Sequence, residues 1–147
     1  MGKQADTGEY GLHTADQASA CFLAYCNWQA DHRIKTLAAE VQVISEAHQC
    51  GGTADLIAEI NGVVSVLDFK TPTHVWPEHR IQLSAYGHAW NEQHPDQNVA
   101  AYYLLQLHKA NGGYLYHVYQ EVHPAWDVFT HLRALYDLRQ QMKGDRR

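Results

Sequence analysis

The chain has 147 residues, enough for one compact domain, and its 46% hydrophobic and 18% charged content excludes wholesale disorder. A formal net charge of −5 argues against a generally basic polyanion binder, but leaves room for an acidic site that holds cations beside a local basic stripe. Three cysteines without a CxxC pair exclude a disulfide framework and a four-cysteine zinc or iron–sulfur centre.

The segment 1–13 reads as a loose N-terminal arm. It is polar and has no apolar leader, and no apolar run approaches the roughly 18–20 residues of a membrane span, so a cytoplasmic protein is expected. Thr14 with Gln17 forms a capping-box pattern that predicts a helix from Thr14 to about Leu37, with a break expected near Asp31. Its apolar face would carry Phe22, Leu23, Cys26, Ala30, Ile34 and Leu37. Strands follow at Glu40 to Ser45, Thr53 to Ile60 and Val63 to Lys70, the last two joined across Asn61-Gly62. A loop from Thr71 to Trp76 leads to Pro77, which suits the first turn of a helix running to about Gln93. Val99 to His108 and Tyr114 to Gln120 read as further strands. A last helix from about Pro124 carries an apolar stripe through Val128, Phe129, Leu132, Leu135, Tyr136 and Met142. The expected order is α-β-β-β-α-β-β-α in a single domain over residues 1–147, an α/β fold with a mixed sheet.

Asn61-Gly62 is the strongest short hairpin signal, because a type I′ turn needs positive φ at both central residues. Pairing Ile60 with Val63 and counting back sets Asp55 opposite Asp68 and Thr53 opposite Lys70. Opposed side chains lie about 5 Å apart, so two like charges would destabilise the hairpin. Buried without a partner, they would cost several kcal/mol, on the order of the desolvation of a charged group, unless one took up a proton. A divalent cation removes the conflict, and Mg²⁺ favours one or two carboxylates plus water and phosphate oxygens. The bland alternative is a surface Asp55 and an ordinary Asp68–Lys70 pair.

Gly52-Thr53-Ala54-Asp55, then Asp68-Phe69-Lys70, then Gln82-Leu83-Ser84-Ala85-Tyr86 stand in order on a strand, a strand and a helix. Here the sequence resembles the PD-(D/E)xK nuclease superfamily, in the branch of lambda exonuclease and RecB-type nuclease domains. The resemblance spans roughly Glu40 to Trp90. Each motif alone is weak, and the combination in order is specific.

The resemblance implies a restriction-endonuclease-like core and a deoxyribonuclease that uses Mg²⁺ or Mn²⁺. Asp55 and Asp68 would hold the metal with the Phe69 backbone carbonyl, and Glu40 would be a further acidic ligand or an ordinary strand carboxylate. Lys70 would orient water or stabilise charge on the phosphate, with Gln82 beside it. Tyr86 reads as substrate-binding or as plain core. Arg80, Trp76 and Thr71 are the remaining substrate-binding candidates, Trp76 either stacking on a base or stapling its loop. Lys35, Arg33, Lys109, Lys143, Arg146 and Arg147 are further cations that could grip a backbone. RecB-type nucleases often carry an upstream metal-site histidine; His13 and His32 lie upstream here without that family context. His74 and His79 flank the expected cleft but fit no zinc spacing.

The implied partner is linear double- or single-stranded DNA, in bacterial or phage recombination or repair, with a homo-oligomer or a recombination or replication protein as a further partner. Two alternatives stay open: a non-cleaving DNA-binding or partner-docking module with the same fold, and a dimeric structure-selective endonuclease of the junction-resolvase type.

Overall fold

A computed structural model describes residues 9–71 and 74–144, with backbone alone for residues 9–13. The elements are α1 (Glu9–Ala30), β1 (Ile34–Ser45), β2 (Cys50–Ile60), β3 (Val63–Lys70), α2 (Pro77–Gln93), β4 (Ala101–Leu107), β5 (Tyr114–Tyr119) and α3 (His123–Gly144). This is the expected order. The five strands lie in the sequence β1-β2-β3-β4-β5, antiparallel except for β3 and β4, which are parallel and bridged by α2. The expected mixed sheet is therefore present.

The interior strand β4 is buried along its whole length, which explains its near-continuous apolar run. Alternation along the strands divides the core in two. Val66, Tyr102 and Leu104 meet Leu83 and Trp90 of α2 on one face. Leu67, Tyr103 and Leu105 meet Ala24 and Trp28 of α1 on the other. Gly87 lets α2 approach closely, since a Cβ there would lie 2.4 Å from the Tyr102 ring. Asn61 and Gly62 both have positive φ, at 52° and 90°, as the hairpin turn demands.

Three expectations need correction. The first helix begins at Glu9 rather than Thr14 and ends at Ala30; Ile34 to Leu37 belong to β1. Those residues fit helical spacing, but cross-strand pairing of Ile34 with Ile60 and Lys35 with Glu59 decides for strand. Of the expected arm, residues 1–8 lie outside the described residues. Phe22 and Leu23 are exposed, while Ala24 and Trp28 face the sheet. The apolar stripe of α3 is also largely exposed: Val128, Leu132, Leu135, Tyr136 and Met142 all face outward, and Ala125 and Trp126 make the inward contacts instead. Among the described residues no helix is long and apolar enough to cross a membrane.

Candidate active site

The site sits where β2 and β3 part. Their ladder runs from Ile60–Val63 to Leu56–Leu67 and stops there. Beyond it β2 continues against β1, from Val41–Ala54 to Ser45–Cys50, and β3 continues against β4, from Asp68–Leu104 to Lys70–Gln106. Asp55 and Asp68 are the first residues past the last rung. The expected direct opposition is thus modified. Asp55 is level with Asp68 but unpaired with it, and Thr53 is unpaired with Lys70, while on its other edge it pairs with Gln42 of β1. The Asp55 carboxylate takes over the missing backbone acceptor: Phe69 N–H donates to its Oδ2 at 2.8 Å.

The fork has a local cause in β1 and β2. Ala54 packs in the α2 layer and Leu56 in the α1 layer, although strict alternation would keep residues two apart on one face. The phase therefore slips at Asp55. Its neighbour across the sheet, between the Ala39–Leu56 and Val41–Ala54 pairs, is Glu40, whose φ of 46° is uncommon for a residue with a side chain. Glu40, Asp55 and Phe69 line one cavity on the α1 side.

On the α2 side a chain of contacts joins the three sequence motifs. Lys70 Nζ lies 2.6 Å from Asp68 Oδ2 and donates to Gln82 Oε1 at 3.1 Å. Gln82 Nε2 donates to the Tyr86 hydroxyl at 2.7 Å. The four-residue spacing of Gln82 and Tyr86 on α2 puts both on one helix face. Tyr86 in turn lies against Gly52, where a Cβ would stand 2.7 Å from the ring.

Asp68 is 3% exposed. Burial pushes its carboxyl above the usual range, Lys70 pulls it back, and the like charge of Asp55 pushes it up again, with His79 lowering it slightly. The ammonium of Lys70 approaches its Oδ2 to 2.6 Å, and a carboxylate with two oxygens has acceptor capacity beyond that one contact. Burial also raises the Tyr86 phenol. Two carboxylates beside the Phe69 backbone are the natural donors here. Among the described residues no three His, Cys, Asp or Glu side chains converge on one point. Such a donor set is too small for structural zinc but suits Mg²⁺, which keeps several waters and shares its shell with phosphate.

Other candidates are placed elsewhere. Arg80 donates to the Glu121 carbonyl at 2.7 Å and stacks over Tyr119, so it ties α2 to the segment before α3. Trp76 is exposed at the N-cap of α2 and stacks on His74, and its backbone N–H donates to His79 Nδ1. Thr71 is exposed just past β3. Lys35 pairs with Glu59, 4.0 Å away. His32 stacks on Trp28 and contacts the Trp28 carbonyl, away from the carboxylates. The side chain of His13, and Arg146 and Arg147, lie outside the described residues.

Sequence reasoning missed the aromatic wall of the Asp55 cavity, formed by Phe22 and Tyr25 of α1. Their three-residue spacing was a signal, but one that a core-facing helix gives equally. No protein-family model and no curated protein matches the chain.

Proposed function

We propose that this chain is a metal-dependent deoxyribonuclease of the PD-(D/E)xK kind, hydrolysing phosphodiester bonds at the β2–β3 fork. The observation that carries the reading is the contact chain Asp68–Lys70–Gln82–Tyr86 beside Asp55. Residues from two strands and a helix, distant in sequence, meet at one buried, charged point. Buried charge of this kind is costly and concentrates at functional sites.

Asp55, Asp68 and the Phe69 carbonyl would hold Mg²⁺ or Mn²⁺, with Glu40 near Asp55 on the same cavity. When bound, the cation polarises a phosphate oxygen and lowers the pKa of a coordinated water. The remaining work falls to the chain itself. Lys70 presents positive charge where negative charge grows on the phosphate, and charge held in place beforehand is worth most in a site that excludes water. Gln82 fixes Lys70: its oxygen faces the ammonium because its nitrogen is committed to Tyr86. The net charge of −5 counts against general affinity for a polyanion, so on this reading substrate binding would rest on local positive charge at the site.

Exonuclease action on linear DNA in bacterial or phage recombination or repair is the form of the activity we favour, on the resemblance of the motifs. The non-cleaving reading draws on one observation, that Lys70 already neutralises Asp68 at 2.6 Å. Incubation with linear and circular DNA in Mn²⁺ separates these readings. Degradation of linear DNA alone, lost in Asp68→Asn, supports the exonuclease. Nicking of circles supports the endonuclease, and binding without cleavage supports the docking module.

A further inference from the structure

Between α1 and the β1–β2 side of the fork lies a cavity of about 640 Å³, open to solvent, within the size range of small-ligand sites. Phe22 and Tyr25 form its helix wall, Leu56 and Phe69 its sheet side, and Glu40 and Asp55 its acidic edge. Among the described residues no lysine or arginine lines it, which favours an uncharged ligand group over a phosphate. Its chemistry suits a flat, uncharged group whose polar edge can donate hydrogen bonds to carboxylates.

Two features make the wall more than leftover core. Phe22 is 69% exposed, although burial of a phenyl ring is favourable. Tyr25 is held edge-on against Phe69, with ring centroids 5.4 Å apart, so its orientation is set before any ligand arrives. Phe69 is also the residue whose N–H anchors Asp55. The aromatic surface and the acidic point are therefore joined through one residue.

We propose that this cavity receives an unpaired nucleobase of the DNA strand whose phosphate lies at the fork, an inference that rests on the nuclease reading above. The base stacks on Phe22 and Tyr25, and an exocyclic amino group faces Glu40. A base inside a duplex has both faces covered by its neighbours and cannot enter such a cavity; an unstacked one can. The preferred substrate is thus a single strand or a frayed end.

The test uses single-stranded DNA octamers carrying 2-aminopurine at each position in turn, mixed with the full chain in Ca²⁺, with strand integrity checked on a gel. Stacking quenches the fluorophore at one position in the native protein. Phe22→Ala relieves that quenching and raises Kd about ten-fold, the scale of one base–aromatic stack. Leu23→Ala, exposed and outside the cavity wall, changes neither. Unchanged melting temperatures for both variants establish that they fold. Quenching and Kd unaffected by Phe22→Ala, or no quenching at any position, overturn the proposal. The two readings fail separately: Phe22-dependent quenching without cleavage in Mn²⁺ keeps the base site and removes the nuclease. Cleavage with Phe22-independent quenching does the reverse.

Discussion

Gly52 of β2 lies so close to Tyr86 of α2 that a Cβ on the glycine would stand 2.7 Å from Cε1 of the ring. The contact matters because Tyr86 holds Gln82, and Gln82 holds Lys70. Gly52→Ala should cost about 1–3 kcal/mol by overpacking. It should also lower kcat, since Lys70 loses its fixed support. Adding Tyr86→Leu should restore the melting temperature without restoring kcat. Recovery of both would mean that Tyr86 serves packing alone.

Asp68 and Lys70 are expected to be energetically coupled, with side chains 4% and 19% exposed. Lys70→Ala leaves a buried carboxylate without its cation, and should cost about 3 kcal/mol in metal-free urea denaturation. In an Asp68→Asn background the same change should cost about 0.5 kcal/mol, the ordinary effect of a substitution away from such features. Cleavage should fall about 100-fold or more in Lys70→Ala, the scale of removing one charge-stabilising donor. Additive stabilities across the cycle would show that the pair is uncoupled.

Burial, more than Lys70 offsets, raises the Asp68 carboxyl above its unfolded value of 3.8. The folded state therefore retains this proton to higher pH than the unfolded state does. Stability from this group is full below the unfolded value and is lost as pH rises through the folded one. Metal-free Asp68→Asn should consequently melt above the native protein at pH 7, with the gap closing on acidification towards pH 3.8. Saturating Mn²⁺ should raise the native melting temperature and leave the variant unmoved; at 100 times Kd the gain is about 2.7 kcal/mol. Calorimetry with and without Mn²⁺ measures both.

His88 stacks on Trp126 with ring centroids 3.8 Å apart, and His48 meets the same indole edge-on. Burial lowers the His88 pKa below 6.5, the Ser84 carbonyl pulls it up, and His123 and His48 lower it further. The unfolded chain thus takes up this proton first, and stability is lost as pH falls from 6.5 through the lower folded value. His88→Phe keeps an aromatic ring on Trp126 and removes the titration. Its melting temperature should fall less than that of the native chain between pH 7 and pH 5. Equal falls would place the acid sensitivity elsewhere.

Much of this geometry was readable because one turn propagates a register. Asn61-Gly62 set the β2–β3 pairing, and Pro77 marked the start of α2. Gln82 and Tyr86 then followed from helical spacing. The fork was not readable, since it depends on the backbone of Glu40 on a third strand. Hydrophobic periodicity also reports that a face exists, not what covers it. Val128, Leu132 and Leu135 made a convincing core stripe, yet they face outward. Arg80 could have been excluded from the site at the outset. Two residues before Gln82 on a helix, it points some 200° around the axis, a consequence of the 3.6-residue turn.

Crystals soaked in Mn²⁺ and measured at its absorption edge test the central claim most directly. An anomalous peak is predicted at the β2–β3 fork, within bonding distance of Asp55, Asp68 and the Phe69 carbonyl, and absent from Asp68→Asn. A fork without manganese, with Lys70 still seated on Asp68 at saturating ion, would contradict it.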